Sequence, residues 1–367
     1  MGRFVPISRC MERRDNPTVF EKALAALVFF VGCTYETDFA DCTVRCSAEI
    51  GCPDDLICGA EGFCRHPGST TTCAMESGPL SCIGLEATCG PNHDEDCCAA
   101  RQIPGGPFFR SFDVAGDGMF TSMAAPATVS PFTLDRFEVT VGRFRNFVEA
   151  GGGTRANPPA AGAGERALGG VPDRGGWESA WNANLPTDVS SLAAALQCDA
   201  DATWTDAVGA NEELPINCVT WYEAFAFCAW DSGFLATEAE WNFAASGGDE
   251  QRVYPWSSPA NSAALDCAHA NYDACGDAAK IVGSLSPAGD GRWGQADLSG
   301  NLWEWTLDWY GTYVTPCNDC ADLSVETRRT NRGGGFSFAA SYLRTAFRGF
   351  EAPAPAHASI GIRCGRN

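Results

Sequence analysis

Residues 214–241 read LPINCVTWYEAFAFCAWDSGFLATEAEW and carry two helix-start signals in succession. Thr220 is followed three residues later by Glu223, and Thr237 is followed at the same spacing by Glu240. In this arrangement, a capping box, the threonine hydroxyl accepts a hydrogen bond from a helix amide and the carboxylate reaches back to the first amide. The stretch therefore predicts two helices, beginning after Thr220 and after Thr237.

The sequence on either side predicts where the second helix stops and what precedes the first. Gly247-Gly248 is a typical stop signal, because glycine tolerates the left-handed conformation that ends many helices. Upstream, residues 129–141 (VSPFTLDRFEVTV) alternate apolar and polar side chains and predict a strand. Thr140 would cap a short helix after it. That helix would bury Val141, Phe144 and Val148.

Composition favours an irregular, loop-rich α+β fold. The 367 residues are 45% hydrophobic and include 22 Phe and 11 Trp, enough for a substantial core. The 40 Gly and 21 Pro, with little helical periodicity, argue against a helical bundle or a parallel α/β sheet. A formal charge of -21 repels phosphate backbones and anionic lipids, so nucleic acid is not an expected partner.

The cysteine content predicts disulfides and export from the cell. Twenty cysteines with only four histidines are too many for a reducing cytosol. An apolar run, Ala23–Val31, follows basic residues but is shorter than the roughly 20 residues that span a bilayer. Ending in Val31-Gly32-Cys33, it resembles the signal peptide of a bacterial lipoprotein, with Cys33 as the acylated residue. Membrane attachment is expected only through that lipid.

Cysteine parity agrees with cleavage before Cys33. Ten cysteines would remain from Cys42 to Cys98 and eight from Cys198 to Cys364, and closed sets of disulfides need even numbers. The alternative is an ordinary secretory signal that is cut elsewhere.

The chain divides into four predicted segments: a signal peptide at 1–32, a Cys-rich spacer at 33–72, a Cys-rich lead-in at 73–106 and the main domain at 107–367. The small Cys-rich N-terminal segment has hardly any aliphatic periodicity, so disulfides must hold it together. A metal knuckle is the alternative, although no histidine pairs lie nearby.

Several motifs follow one another in a fixed order along the main domain. Residues 235–241 read LATEAEW, 297–305 read DLSGNLWEW, 332–336 read RGGGF and 360–364 read IGIRC. Together with Pro104–Gly106 and the DRFEVT at 135–140, they resemble the formylglycine-generating-enzyme domain, also called the sulfatase-modifying factor domain. Ala236 stands where that family usually has proline.

The resemblance implies a formylglycine-generating-enzyme fold, an α+β variant related to C-type lectins, low in regular secondary structure and stapled by disulfides. It also implies a disulfide between Cys228 and Cys364. Local bridges are plausible for Cys198 with Cys218, Cys267 with Cys275 and Cys317 with Cys320.

The family's calcium site maps onto Asp297, Gly300, Leu302 and Glu304, an oxygen-only set that suits a hard cation. The alternative is that Glu304 forms only a buried ion pair inside an aromatic cluster. A second, weaker calcium site maps near Asn271 and Tyr272, with Asp273 or Asp277 as the acid.

The residues that perform the family's oxidation are missing. Formylglycine formation uses two cysteines that bind copper(I) as thiolates, and the matching positions here hold Phe338 and Leu343. The serine of that motif is Gly335. Copper is therefore not expected. Cys317 and Cys320 could be considered as substitutes, but a local disulfide is favoured in an oxidising compartment.

These observations predict a binding module at the cell envelope that has lost the copper oxidase site. Its cleft would capture a peptide, a glycan or an exported protein. Two or three of the expected lining residues should face solvent. The expected lining is Trp303, Trp305, Phe336, Phe338, Tyr342 and Arg344. The alternative is an oxidoreductase that converts a cysteine of a sulfatase-type protein to formylglycine, or that oxidises another exported protein.

Overall fold

The computed structural model of the chain describes Cys52 and residues 56–58, 64–69, 79–166 and 175–366. The chain forms two units, Met1–Ala74 and Met75–Asn367. Within the described residues, no helix is long and apolar enough to cross a membrane. The predicted signal peptide and the lipid anchor at Cys33 lie outside the described residues.

The described part of the first unit is a disulfide-linked hairpin. Strand β1 (Ile57–Cys58) pairs antiparallel with β2 (Cys64–Arg65). A disulfide joins Cys52 to Cys64. A bridge over so short a loop replaces the hydrophobic core that a segment of this size cannot build.

The second unit combines short strands with four α-helices. Its strands are β3 (Ala100–Ile103), β4 (Gly106–Phe109), β5 (Pro126–Val129), β6 (Phe132–Asp135), β7 (Phe234–Leu235), β8 (Trp303–Trp309), β9 (Cys317–Asn318), β10 (Arg329–Arg332), β11 (Gly349–Glu351), β12 (Ile360–Gly361) and β13 (Cys364–Arg366). Its helices are α1 (Val141–Glu149), α2 (Val189–Ala195), α3 (Trp221–Trp230) and α4 (Glu238–Ser246). Short 3-10 turns lie at Leu80–Cys82, Ser179–Asn184, Gly248–Glu250 and Ala340–Leu343.

The strands of this unit form three sheets. The first has the order β11-β10-β8-β12, the second β3-β6-β13-β7, and the third β4-β5-β9. The pairs β8/β12 and β5/β9 are parallel and the others are antiparallel. The α+β architecture rich in turns is the one that composition predicted.

The helices begin where the sequence signals place them. Thr140 accepts a hydrogen bond from the backbone of Arg143 and starts α1. Complete capping boxes start α3 at Thr220 and α4 at Thr237. Helix α4 ends at Gly247, whose φ of 68° lies in the left-handed region. These predictions are confirmed.

Two sequence-based boundaries are wrong. Residues 129–141 do not form one strand, because Ser130-Pro131 separates β5 from β6 and proline lacks the amide that would continue the ladder. The lead-in 73–106 is not separate from the main domain either. Its residues 100–103 form β3, which pairs with β6. These long-range pairings leave no mark in the local sequence.

Seven disulfides lie in the described residues. Cys228 at the end of α3 is joined to Cys364 in β13, across 136 residues. On the chain-entropy account, a loop of that length gives about 5 kcal/mol of stabilisation. Cys198–Cys218, Cys267–Cys275 and Cys317–Cys320 form local bridges, as the sequence suggested. In the lead-in, Cys82 pairs with Cys98 and Cys89 with Cys97.

The capping box of α3 has an electrostatic cost. Burial raises the pKa of the Glu223 carboxyl from 4.5 to about 7, although the Thr220 amide and hydroxyl favour its charged form. The folded protein therefore holds this proton more tightly than the unfolded chain does. The Glu223 carboxyl therefore lowers the free energy of unfolding as pH rises from about 4.5 to about 7.

Glu223→Gln should therefore be more stable than the wild type near pH 8, by up to about 3 kcal/mol, and nearly equal to it near pH 4. Glutamine keeps the oxygen that accepts from the Thr220 amide but cannot ionise. Urea unfolding at both pH values measures the difference. Glu240→Gln is the matched control, and it should lose stability because it leaves Arg166 without its carboxylate partner. An equal effect of Glu223→Gln at both pH values would contradict the account.

Candidate functional site

An aromatic groove opens at the start of β8. It is a cavity of about 260 Å3 in which Trp303, Phe338, Tyr342 and Phe347 supply rings. The Trp303 and Phe338 rings meet edge to face at 5.4 Å, and Tyr342 lies 5.6 Å from Phe338. Its other side chains include Asn331, Arg348, Glu351, His357 and Ser359. We call this cavity the aromatic groove.

The structure brings three of the six predicted lining residues to this groove and buries the rest. Trp303, Phe338 and Tyr342 lie in its wall, and Tyr342 is 37% exposed. Trp305 belongs to the core, where its indole donates to the carbonyl of Val219. Phe336 is also buried. The predicted lining was too large, because alternation along a strand gives the face of a residue but not its depth.

Arg344 is the third residue that does not line the groove. It is buried and forms ion pairs with Asp113 and Asp117. Both carboxylates lie more than 200 residues earlier in the chain, so the motif that contains Arg344 gives no sign of them. Phe347, which the sequence analysis missed, completes the ring cluster at 4.8 Å from Tyr342.

The positions that hold cysteines in formylglycine formation carry no sulfur and differ in burial. Phe338 is half-buried in the groove, whereas Leu343 is fully buried against Val253 and Tyr254. Every one of the cysteines from Cys82 to Cys364 is in a disulfide, including the Cys317–Cys320 pair. The described domain therefore offers no thiolate to a copper ion.

Glu304 forms a buried ion pair with Arg363. Arg363 donates from Nη2 to Glu304 Oε1 at 2.7 Å, and its Nε lies 3.0 Å from both carboxylate oxygens. The indole of Trp241 donates to Oε2 at 2.6 Å. A carboxylate has about four acceptor positions, so the Glu304 carboxylate is saturated by protein donors. This arrangement is the aromatic-cluster alternative that the sequence left open.

Two further carboxylates lie buried beside this pair. Burial raises the pKa of Asp297 to about 6, and it raises that of Glu138 well above its usual value. The charges of Asp297 and Glu304 add to the effect at Glu138. Glu138 accepts hydrogen bonds from the backbone of Leu302 and the side chain of Asn301, and so holds the turn that precedes β8.

Backbone geometry makes the same turn tight. Gly300 has a φ of 86°, and a Cβ at this position would come within 2.4 Å of the Asn271 carbonyl oxygen. Only glycine satisfies both conditions. The turn thereby brings Asn271 beside Asn301, whose Oδ1 accepts from Asn271 Nδ2 at 3.2 Å.

The predicted calcium ligands Glu304 and Asn271 differ in whether they are free to bind a cation. A cation at Glu304 would require Arg363 or Trp241 to leave, so Glu304 does not fit as a calcium ligand in this arrangement. Asn271 differs, because its Oδ1 is buried and has no hydrogen-bond partner among the described residues. That atom is suited to a hard cation. The described residues contain no group of three or more His, Cys, Asp or Glu that could hold a metal ion. Calcium remains a prediction.

Comparison with known proteins agrees with this fold. Residues 86–367 match the family described as the sulfatase-modifying factor enzyme 1-like domain. The chain is 30% identical to the formylglycine-generating enzyme of Streptomyces coelicolor over 72% of its own length and 87% of the relative's. It is 28% identical to the inactive C-alpha-formylglycine-generating enzyme 2 of Mus musculus, over 78% and 89%.

A solved structure shares the fold. PvdO from Pseudomonas aeruginosa superposes with a TM-score of 0.51 at 19% identity, covering 73% of this chain and 94% of that one. The protein is thus a mixed helix-and-sheet domain of the formylglycine-generating-enzyme fold. More specifically, the chain belongs to the sulfatase-modifying factor enzyme 1-like family.

Calcium should raise the melting temperature of the purified protein relative to an EGTA-treated sample, by about 3 kcal/mol in stability at a hundredfold excess over Kd. Asn271→Ala should remove this difference, and Asn184→Ala, at an exposed asparagine, should preserve it. Glu304→Gln should cost the same stability with and without calcium, because its carboxylate binds Arg363. Equal melting in calcium and EGTA would refute the calcium prediction.

Proposed function

We propose that this domain is a binding module that keeps the family scaffold without its copper oxidase chemistry. The observation that carries the proposal is the site itself: Phe338 and Leu343 hold the two cysteine positions, and all cysteines of the described domain are paired. An aromatic ring and an aliphatic chain cannot bind a cuprous ion. The relative from Mus musculus whose name includes "inactive" supports the same direction.

The aromatic groove is the surface that we assign to ligand binding. Rings packed edge to face present flat apolar surfaces, and their side chains lose little conformational entropy when a ligand binds. Arg348, Glu351 and His357 add charged and hydrogen-bonding groups next to the rings. This combination suits an extended peptide or a glycan of an exported protein.

We further propose that the protein works outside the cytosol, at the cell envelope. The seven disulfides support export, since such bonds form in oxidising compartments. A lipid on Cys33 would attach it to a membrane. The 30% identity to an enzyme favours the second candidate, oxidation of a cysteine in a sulfatase-type protein.

A direct test measures thiols and aldehyde on the same sample. The purified domain should show no free thiol under denaturing conditions and no stoichiometric binding of copper(I). Incubated with copper, oxygen and a peptide containing C-x-P-x-R, it should form no aldehyde by mass spectrometry. The Streptomyces coelicolor relative is the positive control. Aldehyde formation by this chain would refute the proposal and establish the second candidate.

Binding at the groove is tested by peptide and glycan libraries presented to the folded domain. Tyr342→Ala should weaken the selected ligands at least about tenfold, the usual effect of removing an aromatic anchor. Met119→Ala, which also truncates an exposed apolar side chain, should leave them unchanged. Loss of binding in both variants, or no selectable ligand, would count against the groove.

A further inference from the structure

A larger cavity lies at the other end of β8, next to Trp309. Its volume is about 530 Å3, within the range of small-molecule sites. Trp181, Tyr222, Leu307 and Leu323 supply apolar walls, and Glu165 and Glu178 supply acidic groups. The predicted cleft did not include this cavity, and none of its lining residues lines the aromatic groove.

The unusual member of its wall is Arg329. Its side chain is only 1% exposed, and its guanidinium lies 3.6 Å from the ring centroids of both Trp221 and Trp309. Nη1 donates to the carbonyl of Leu307 at 2.7 Å. Nε is buried and has no hydrogen-bond partner, and no carboxylate of the described residues lies within ion-pair distance of the side chain. Burial lowers the pKa of Arg329 to about 9.

Other buried arginines of this domain show what is missing at Arg329. Arg143 pairs with Asp135 and Asp231 at 2.9 and 2.8 Å, and Arg363 pairs with Glu304 at 2.7 Å. A buried cation without such a partner is costly, and stacking on tryptophan offsets only part of the cost. The Trp221 and Trp309 rings stack on the guanidinium of Arg329, and its Nη1 donates to the carbonyl of Leu307. The guanidinium edge that carries Nε and Nη2 therefore remains without a described acceptor.

Of the two nitrogens on that edge, Nε is fully buried, so Nη2 is the one that a charged acceptor could reach from the cavity. We propose that this cavity binds an organic carboxylate with an apolar or aromatic body, whose carboxylate accepts a charge-assisted hydrogen bond from Nη2 of Arg329. The apolar body lies against Trp181, Tyr222 and Leu323. The inference does not rest on the function proposed for the aromatic groove.

The charges around the cavity favour a single negative charge on the ligand. Glu165 and Glu178 lie in the same wall, and the charges of Asp308 and, more weakly, Glu178 partly oppose the lowering of the Arg329 pKa that burial causes. A phosphate dianion or a polyanion would be repelled by Glu178 more strongly than a monoanion would be. A monocarboxylate places its one charge at the arginine and an uncharged body elsewhere.

Phenylacetate, with phenylacetamide as its uncharged isostere, tests the proposal by isothermal titration at neutral pH. The acid should bind at least about tenfold more tightly than the amide, the difference that a charge-assisted pair supplies. It should also bind more tightly than inorganic phosphate. Equal binding of acid and amide, tighter binding of phosphate, or no binding of phenylacetate would overturn the proposal.

Variants of the protein locate the binding. Arg329→Met should abolish the preference for the acid. Arg328→Met, which removes the same charge from the neighbouring, exposed arginine stacked on Phe350, should retain it. Leu323→Trp leaves Arg329 in place but fills the cavity, and it should abolish binding even if Arg329→Met folds poorly. Unchanged binding in folded Arg329→Met or in Leu323→Trp, or equal loss in Arg328→Met, would overturn the assignment.

Discussion

The ion pair between Glu304 and Arg363 lies buried where the first and second sheets of this domain meet their connecting segments. Glu304 lies in β8, an inner strand of the first sheet between β10 and β12, and Arg363 lies between β12 and β13. The guanidinium also donates to the carbonyls of Asp135, Arg136 and Ala296. One side chain thus links β8 to the end of β6 and to the loop that contains Ala296. Removing either charge would leave the other buried and unpaired, which typically costs several kcal/mol.

The same ion pair joins two sequence motifs of the family. The DLSGNLWEW and IGIRC motifs both remain, and they meet because Arg363 binds Glu304. In this structure the glutamate of the first motif pairs with the arginine of the second. At Phe338 and Leu343, in contrast, the backbone of the site persists while its sulfur is gone.

The sequence predicted those features that depend on neighbours along the chain. Helix caps at Thr140, Thr220 and Thr237 involve residues three positions apart, so they could be recognised directly. Burial could not, because it depends on what packs across the sheet. Trp303 and Trp305 point to the same side of β8, yet only Trp303 reaches the groove. Arg329 carried no signal in the sequence, because only the structure shows that no carboxylate of the described residues lies within ion-pair distance of it.

The last strands have a consequence for how the polypeptide acquires its structure during synthesis. Strand β12 completes the sheet built on β8, and β13 is an inner strand between β6 and β7. Both strands come from residues 360–366, so neither four-stranded sheet can be completed until this stretch has left the ribosome. Chains that are still being translated would expose the edges of β6 and β8. Such edges can recruit other strands, which makes a holding chaperone valuable until elongation passes Arg366.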